Sequence, residues 1–271
     1  MAAPQLHPLN TGFDWAPPEG PFRRITEAQA REWNEKGFLL VEDAFDAETM
    51  ARVIADIDPA EEQMEGFLRM QKDGKLFIGR AGEITFTVHL VTRSAFLKDF
   101  ASGPVFQDLC HDLVGDDVRL YWDQAVYKKP ENPADFPWHQ DNGYTFIVPQ
   151  QYLTCWVALT DATRENGCPW VVPGVHRSGT LAHWMTDLGW RCLEDPPEAV
   201  PVEARAGSIV VFSSLTPHRT GPNTTDSVRK SYILQYAPDG AEMLHEEHRI
   251  PCNAEDRQFP VLVGGASPDA G

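Results

Sequence analysis

The chain has 271 residues, 42% of them hydrophobic, and a formal net charge of −17. Such a charge argues against nucleic acid, which requires a basic footprint, and mildly against polyanionic substrates, which are repelled on approach. No run of about 18 apolar residues reads as a membrane span.

Residues 1–10 carry Pro4 and Pro8 and no basic segment leading into an apolar one, which argues against a secretory leader. The prolines and aromatics up to residue 24 predict an extended arm laid over the domain. Thr26-Glu27-Ala28-Gln29 has the reciprocal capping pattern of a helix start, so a helix is predicted through Ala30 and Trp33 to a stop at Gly37. Residues 38–41 read as a short buried strand. Asp46 suits the cap of a second helix carrying Met50, Val53, Ile54 and Ile57, ended by Pro59. A third helix is predicted from near Ser102, with Pro104 in its start and Val105, Leu109 and Leu113 on one face before Gly115.

From about residue 118 the character changes to short β-rich runs: 118–127, 145–148, 153–159, 170–172, 208–212 and 231–236. Several strands broken by Pro and Gly turns predict a sandwich or jelly roll, here with an N-terminal helical layer. Residues 176–206, with Trp184 and Trp190, read as an insert over the barrel mouth and a candidate substrate lid. The tail after Gly240 reads as acidic, then partly apolar, then frayed. The expected organisation is therefore one domain over 1–271: arm and helices to 117, a core over 118–240, and a tail over 241–271. Cys110, Cys155, Cys168, Cys192 and Cys252 are odd in number and scattered, which fits buried free thiols in a reducing cytoplasm.

Chemistry concentrates in Pro137-Trp138-His139-Gln140-Asp141 and in Pro217-His218-Arg219-Thr220, followed by Arg229 eleven residues after His218. Two imidazoles and a carboxylate can hold Fe(II) and leave coordination positions open. His139 and Asp141 are two apart, so on a strand both would reach the same face. His218 follows the strongly β-like run 208–212, which places it at a strand end. A barrel-facing arginine needs an anion, and the guanidinium fork of Arg229 suits a carboxylate. His89 reads as a core histidine, His111 and His183 as helix-surface and loop residues, and His7, His245 and His248 as solvated.

Together with Thr154-Cys155-Trp156-Val157-Ala158-Leu159, Glu165-Asn166-Gly167 and Pro173-Gly174-Val175-His176, these motifs resemble the phytanoyl-CoA dioxygenase superfamily of Fe(II)/2-oxoglutarate oxygenases. The likeness spans residues 124–236 and extends to the opening pattern at 26–45. It implies a mainly β fold, a double-stranded β-helix (jelly-roll, cupin-like) core with N-terminal helices packed on one sheet. It further implies that His139, Asp141 and His218 ligate iron. Arg229 and Thr220 would bind the far carboxylate of 2-oxoglutarate, Trp156 would wall that pocket, and Gln124 is a further cosubstrate candidate. Val175 departs from the family's usual Ser. Asp141 stands where halogenating relatives carry Gly or Ala, which favours hydroxylation.

The expected activity is hydroxylation of an unactivated C–H in a small-molecule metabolite, with O2 consumed, succinate and CO2 released, and ascorbate helpful in vitro. The acidic chain makes a neutral or amine-bearing metabolite more attractive than a CoA thioester. Desaturation, cyclisation or epimerisation by the same cofactors is the alternative, and a non-enzymatic cupin-like metal or ligand-binding module is a third reading. A monomer or homodimer is expected.

Overall fold

In the first helix, α1 (Glu27–Lys36), Thr26 and Gln29 cap each other as predicted, the Thr26 hydroxyl accepting from the Gln29 amide at 3.2 Å and the Gln29 side chain accepting from the Thr26 amide at 2.9 Å. Gly37 ends it at φ 79°, and a Cβ there would lie 2.4 Å from the His176 ring, so both conformation and space demand glycine. The computed structural model describes residues 5–130 and 135–268, and the extremes of the predicted arm and tail lie outside the described residues.

The second helix, α2 (Ala47–Arg69), begins at the Asp46 cap as expected but does not end at Pro59, which sits inside it. A proline removes one backbone hydrogen bond from a helix interior. Here the half beyond it buries Ala60, Glu61 and Leu68, and Glu61 accepts from the Thr85 hydroxyl at 2.8 Å and is ion-paired with Lys129. Those contacts hold the helix past its breaker. A further helix, α3 (Ala95–Ala101), was not predicted; Ser94 caps it by accepting from the Leu97 amide at 3.1 Å. The last of the N-terminal helices, α4 (Pro104–Leu113), forms as read, with Gly103 rather than Ser102 at its cap.

The strands, in chain order, are β1 (Phe38–Val41), β2 (Lys75–Leu76), β3 (Gly79–Arg80), β4 (Ile84–Val88), β5 (Val118–Lys128), β6 (Phe136–His139), β7 (Ile147–Val148), β8 (Leu153–Ala158), β9 (Pro169–Val171), β10 (Trp184–Thr186), β11 (Gly189–Arg191), β12 (Val200–Pro201), β13 (Ile209–Ser213), β14 (His218–Thr220), β15 (Arg229–Pro238), β16 (Glu242–His245), β17 (His248–Pro251) and β18 (Pro260–Leu262). Among the described residues a major antiparallel sheet runs β1-β13-β8-β15-β5-β4-β3-β2, with β18 also pairing β5, and a minor one runs β12-β9-β14-β6. This is the expected jelly-roll class.

Alternation along the strands sorts the two cores. Cys155, Val157, Tyr232, Leu234 and Tyr236 face the helices, whose Val53, Ile57, Leu97, Phe106 and Leu109 join the same apolar cluster. Their neighbours Trp156, Ala158 and Ile233 turn inward toward Val171 of the minor sheet. The acidic and apolar parts of the tail carry strands that were not predicted, since β16 and β17 form a hairpin and β18 joins the major sheet through β5. The 176–206 insert, read as an irregular loop from its sequence, is partly ordered: β10 and β11 pair within it, and β12 extends the minor sheet. All five cysteines are buried and free, and among the described residues no helix is long and apolar enough to cross a membrane.

Candidate metal centre

Residues His139 and His218 are direct cross-strand partners, at the end of β6 and the start of β14. Their ring centroids are 4.2 Å apart. Each ring is fixed through Nδ1, His139 against the Pro137 carbonyl at 2.8 Å and His218 against the Thr216 carbonyl at 3.0 Å. A proton on each Nδ1 leaves both Nε2 lone pairs available, the arrangement that a metal-binding imidazole uses. Burial holds both rings neutral, pulling His139 down to about 3 and His218 to about 4.

The Asp141 carboxylate reaches the same point by a different route from the one expected. It is not on the strand with His139: β6 ends at His139, and Asp141 opens a short helical turn over Asp141–Tyr144. Its Oδ1 lies 3.9 Å from Nε2 of His139 and 3.7 Å from Nε2 of His218. The turn is tight; a Cβ on Gly143 would meet the His183 ring at 2.0 Å. One ligand atom from each of His139, Asp141 and His218 lies within 4.8 Å of the other two. Burial raises the Asp141 carboxyl, while His139 and hydrogen bonds from Thr154 and Gln235 oppose the rise. Thr154 and Gln235 are themselves cross-strand partners on β8 and β15, and neither stood out in the sequence.

A buried carboxylate between two neutral imidazoles carries charge that no Lys or Arg side chain among the described residues is paired with. A divalent cation satisfies it, and this nitrogen and oxygen donor set suits Fe(II). The residues present therefore fit the implied metal.

Beside the triad a small cavity of about 60 Å³ is lined by Gln124, Trp156, Thr220 and Arg229 as well as by His139, Asp141 and His218. All four of the expected cosubstrate residues thus meet in one place. Arg229 is fully buried. Its Nη1 donates to the Ser231 hydroxyl at 2.6 Å and the Val126 carbonyl at 3.3 Å, while Nε and Nη2 have no partner. Its guanidinium carbon stands 5.2 Å from the centre of the Trp156 ring. Burial lowers this group only to about 10, so it stays cationic at neutral pH. Among the described residues no carboxylate pairs with it, and a buried cation with two donor nitrogens left unpaired is costly unless an anion completes it; a dicarboxylate fits that demand. Thr220 is partly engaged, with Lys128 Nζ 3.5 Å from its hydroxyl.

A larger cavity of about 490 Å³ is also lined by His139 and Asp141 and shares Gln124 with the first. Of the two candidate lid aromatics, Trp190 lines it and Trp184 does not, being 43% exposed. Met64 and Leu68, from the part of α2 beyond Pro59, supply a wall that the predicted helix end had hidden. His183 stays outside the ligand set, its Nε2 accepting from the Gln140 amide at 3.0 Å. His89 does not continue β4 but turns to φ 55° and packs edge-on against Trp122, and its Nδ1 lacks the hydrogen bond expected of a core histidine.

The family model described as phytanoyl-CoA dioxygenase (PhyH) matches residues 33–231. A probable alpha-ketoglutarate-dependent hypophosphite dioxygenase of Stutzerimonas stutzeri is 25% identical over 256 residues, covering 88% of this chain and 86% of that protein. A methylphosphonate hydroxylase of Gimesia maris is 27% identical over 230 residues, covering 83% and 85%. In fold, the chain resembles the epimerase SnoN, solved with Fe3+, alpha-ketoglutarate and nogalamycin RO, with a TM-score of 0.68 and 23% identity over 87% of this chain and 98% of that one.

Proposed function

The chain belongs to the phytanoyl-CoA dioxygenase family and is an iron- and 2-oxoglutarate-dependent dioxygenase, and we propose that it hydroxylates an unactivated C–H bond of a metabolite held in the larger cavity. In this reading His139, Asp141 and His218 hold the ferrous ion, and Arg229 holds the far carboxylate of 2-oxoglutarate. The observation that carries it is the buried, half-unsatisfied guanidinium of Arg229 lining the same small cavity as the His-Asp-His cluster. A mere metal-binding module has no use for such a group.

The chain's own contributions follow from its geometry. The two imidazoles offer neutral Nε2 donors, and Asp141 supplies the one negative charge. Trp156 lies alongside the guanidinium and restricts where a carboxylate can sit. Thr220 is a second hydrogen-bonding group for the same carboxylate, and Gln124 stands between cosubstrate and substrate spaces. Apolar walls exclude water and fix the approach of the bond to be oxidised. When bound, iron with O2 supplies the oxidation, and 2-oxoglutarate leaves as succinate and CO2.

We take the whole chain, 1–271, as one catalytic unit, since Leu6 of the arm bridges to Leu181 of the insert and β18 of the tail pairs with β5. Five buried free thiols support a cytoplasmic setting. The substrate does not follow from membership, because one fold hosts many substrates.

The test is succinate formation from 2-oxoglutarate in air with Fe(II) and ascorbate. Fe(II)-dependent succinate is expected, and its absence with every compound offered would favour a binding module instead. Product mass then separates the reactions: a gain of one oxygen marks hydroxylation, a loss of two hydrogens desaturation or ring closure, and an unchanged mass epimerisation.

A further inference from the structure

Resting on that oxygenase reading, we propose that the substrate is an uncharged, largely apolar molecule with the bulk of a fused-ring compound, and that the larger cavity rejects phosphates, phosphonates, carboxylates and CoA thioesters.

Size is the first argument. At about 490 Å³ the cavity falls within the range of roughly 300–1,000 Å³ typical of sites for drug-sized ligands. A small oxyanion would leave most of it empty.

Charge is the second. Among the described residues, no Lys or Arg lines this cavity, and Asp141 is its only acid. Lys75 and Arg80, which adjoin the lining residues Leu76 and Gly79, are engaged elsewhere, Lys75 with the Asp187 carbonyl at 2.6 Å and Arg80 with Glu83 at 3.3 Å. Both line a separate crevice of about 20 Å³. The loaded centre offers an anion no compensation either, because Fe(II) and the Arg229 cation are balanced by Asp141 and the doubly charged cosubstrate, which leaves no surplus positive charge. An anion entering this cavity would lose its hydration without gaining a partner, after approaching a chain of formal charge −17. A cationic amine fares no better, since Asp141 is committed to the metal; the amine-bearing substrate anticipated from overall charge is therefore not favoured.

Wall chemistry is the third. Leu68, Ile78, Val88, Trp122, Phe136 and Trp190 supply apolar surface. Leu76 and Phe77, at the β2–β3 turn, line the rim while 51% and 55% exposed, an apolar entrance that a charged ligand has no reason to use. The polar groups within reach are neutral. Apart from the metal ligands, the polar residues of the lining are Tyr121, Gln124, Tyr144, Thr145, Tyr152 and Gln235, and Gln124 lines both cavities. They suit a carbonyl, ether or hydroxyl on the substrate, not a formal charge.

Two fluorescent probes with the same rings test this directly: N-phenyl-1-naphthylamine, which is neutral, and 8-anilinonaphthalene-1-sulfonate, which adds one sulfonate. Each is titrated into protein loaded with Fe(II) and 2-oxoglutarate under anaerobic conditions. The neutral probe is expected to bind at least about tenfold more tightly. Val88→Arg, placing a cation in the wall, should reverse the preference. Phe77→Arg, at the exposed rim where folding is not at risk, should narrow it several-fold. Equal or tighter sulfonate binding by the wild type overturns the proposal, as does a preference that both folded variants leave unchanged; should Val88→Arg not fold, Phe77→Arg decides alone. Succinate formation by the same preparations separates the two claims. Succinate without a neutral preference overturns only the substrate class, whereas a neutral preference without Fe(II)-dependent succinate overturns the oxygenase reading and leaves the binding site standing.

Discussion

Thr154 donates a 2.6 Å hydrogen bond to Oδ2 of Asp141, which leaves Oδ1 facing the Nε2 atoms of His139 and His218 at 3.9 and 3.7 Å. The bond decides which carboxylate oxygen points at the metal position, and it comes from a residue buried in the middle of the major sheet. Groups that orient ligands in this way typically matter by about 10–100-fold in metal affinity. Thr154→Val keeps the shape and removes the donor. Calorimetric titration with Fe(II) should show a loss of at least about tenfold with the thermal unfolding midpoint little changed, and undiminished affinity would count against an orienting role.

Arg229 should act on the cosubstrate and not on the metal. Arg229→Met removes the charge and the two unsatisfied donors. Losing one partner of a buried charge pair costs about 2–5 kcal/mol, so the KM for 2-oxoglutarate, read from succinate formation, should rise by about 30-fold or more while Fe(II) affinity holds. Arg229→Lys keeps charge without the planar fork and should fall between. An unchanged KM in both variants would place the dicarboxylate elsewhere.

Asp123 gives the fold a pH dependence unrelated to the metal. Burial raises its carboxyl to about 6, although the Tyr232 hydroxyl and the Val91 and Leu90 amides all donate to it. A raised carboxyl favours the protonated folded state. Its stabilising contribution is therefore full below the unfolded value near 4 and is lost as pH rises through about 6, an effect on the order of 3 kcal/mol. Urea unfolding at pH 4 and pH 7 should show that the wild type loses more stability over this interval than Asp123→Asn does. Parallel profiles for the two proteins would contradict it.

Much of this site was legible in the sequence because its members are chemically unusual for where they sit. A His-x-Asp triplet, a histidine after a β-run and an arginine at the head of an apolar strand stand out without any coordinates. The local geometry was not legible: spacing alone cannot distinguish strand alternation from the helical turn that carries Asp141. Thr154 and Gln235 were invisible because Thr and Gln are unremarkable in strands, and only the β8–β15 register brings them opposite each other under the carboxylate. Pro59 misled for a tertiary reason, as burial of Ala60, Glu61 and Leu68 outweighs one lost backbone hydrogen bond. That error hid Met64 and Leu68, and with them a wall of the substrate cavity. The helix α3 escaped notice because it has only seven residues, too few for a periodic pattern to emerge.

The most direct test is an anaerobic Fe(II) titration of the wild type and of Asp141→Ala, with 2-oxoglutarate present. One ferrous ion per chain is expected for the wild type. The Asp141→Ala variant, still folded, should bind it at least about 100-fold more weakly, since it loses the only carboxylate among three ligands. Fe(II) binding of the same stoichiometry and strength in both proteins would contradict a metal centre built on His139, Asp141 and His218.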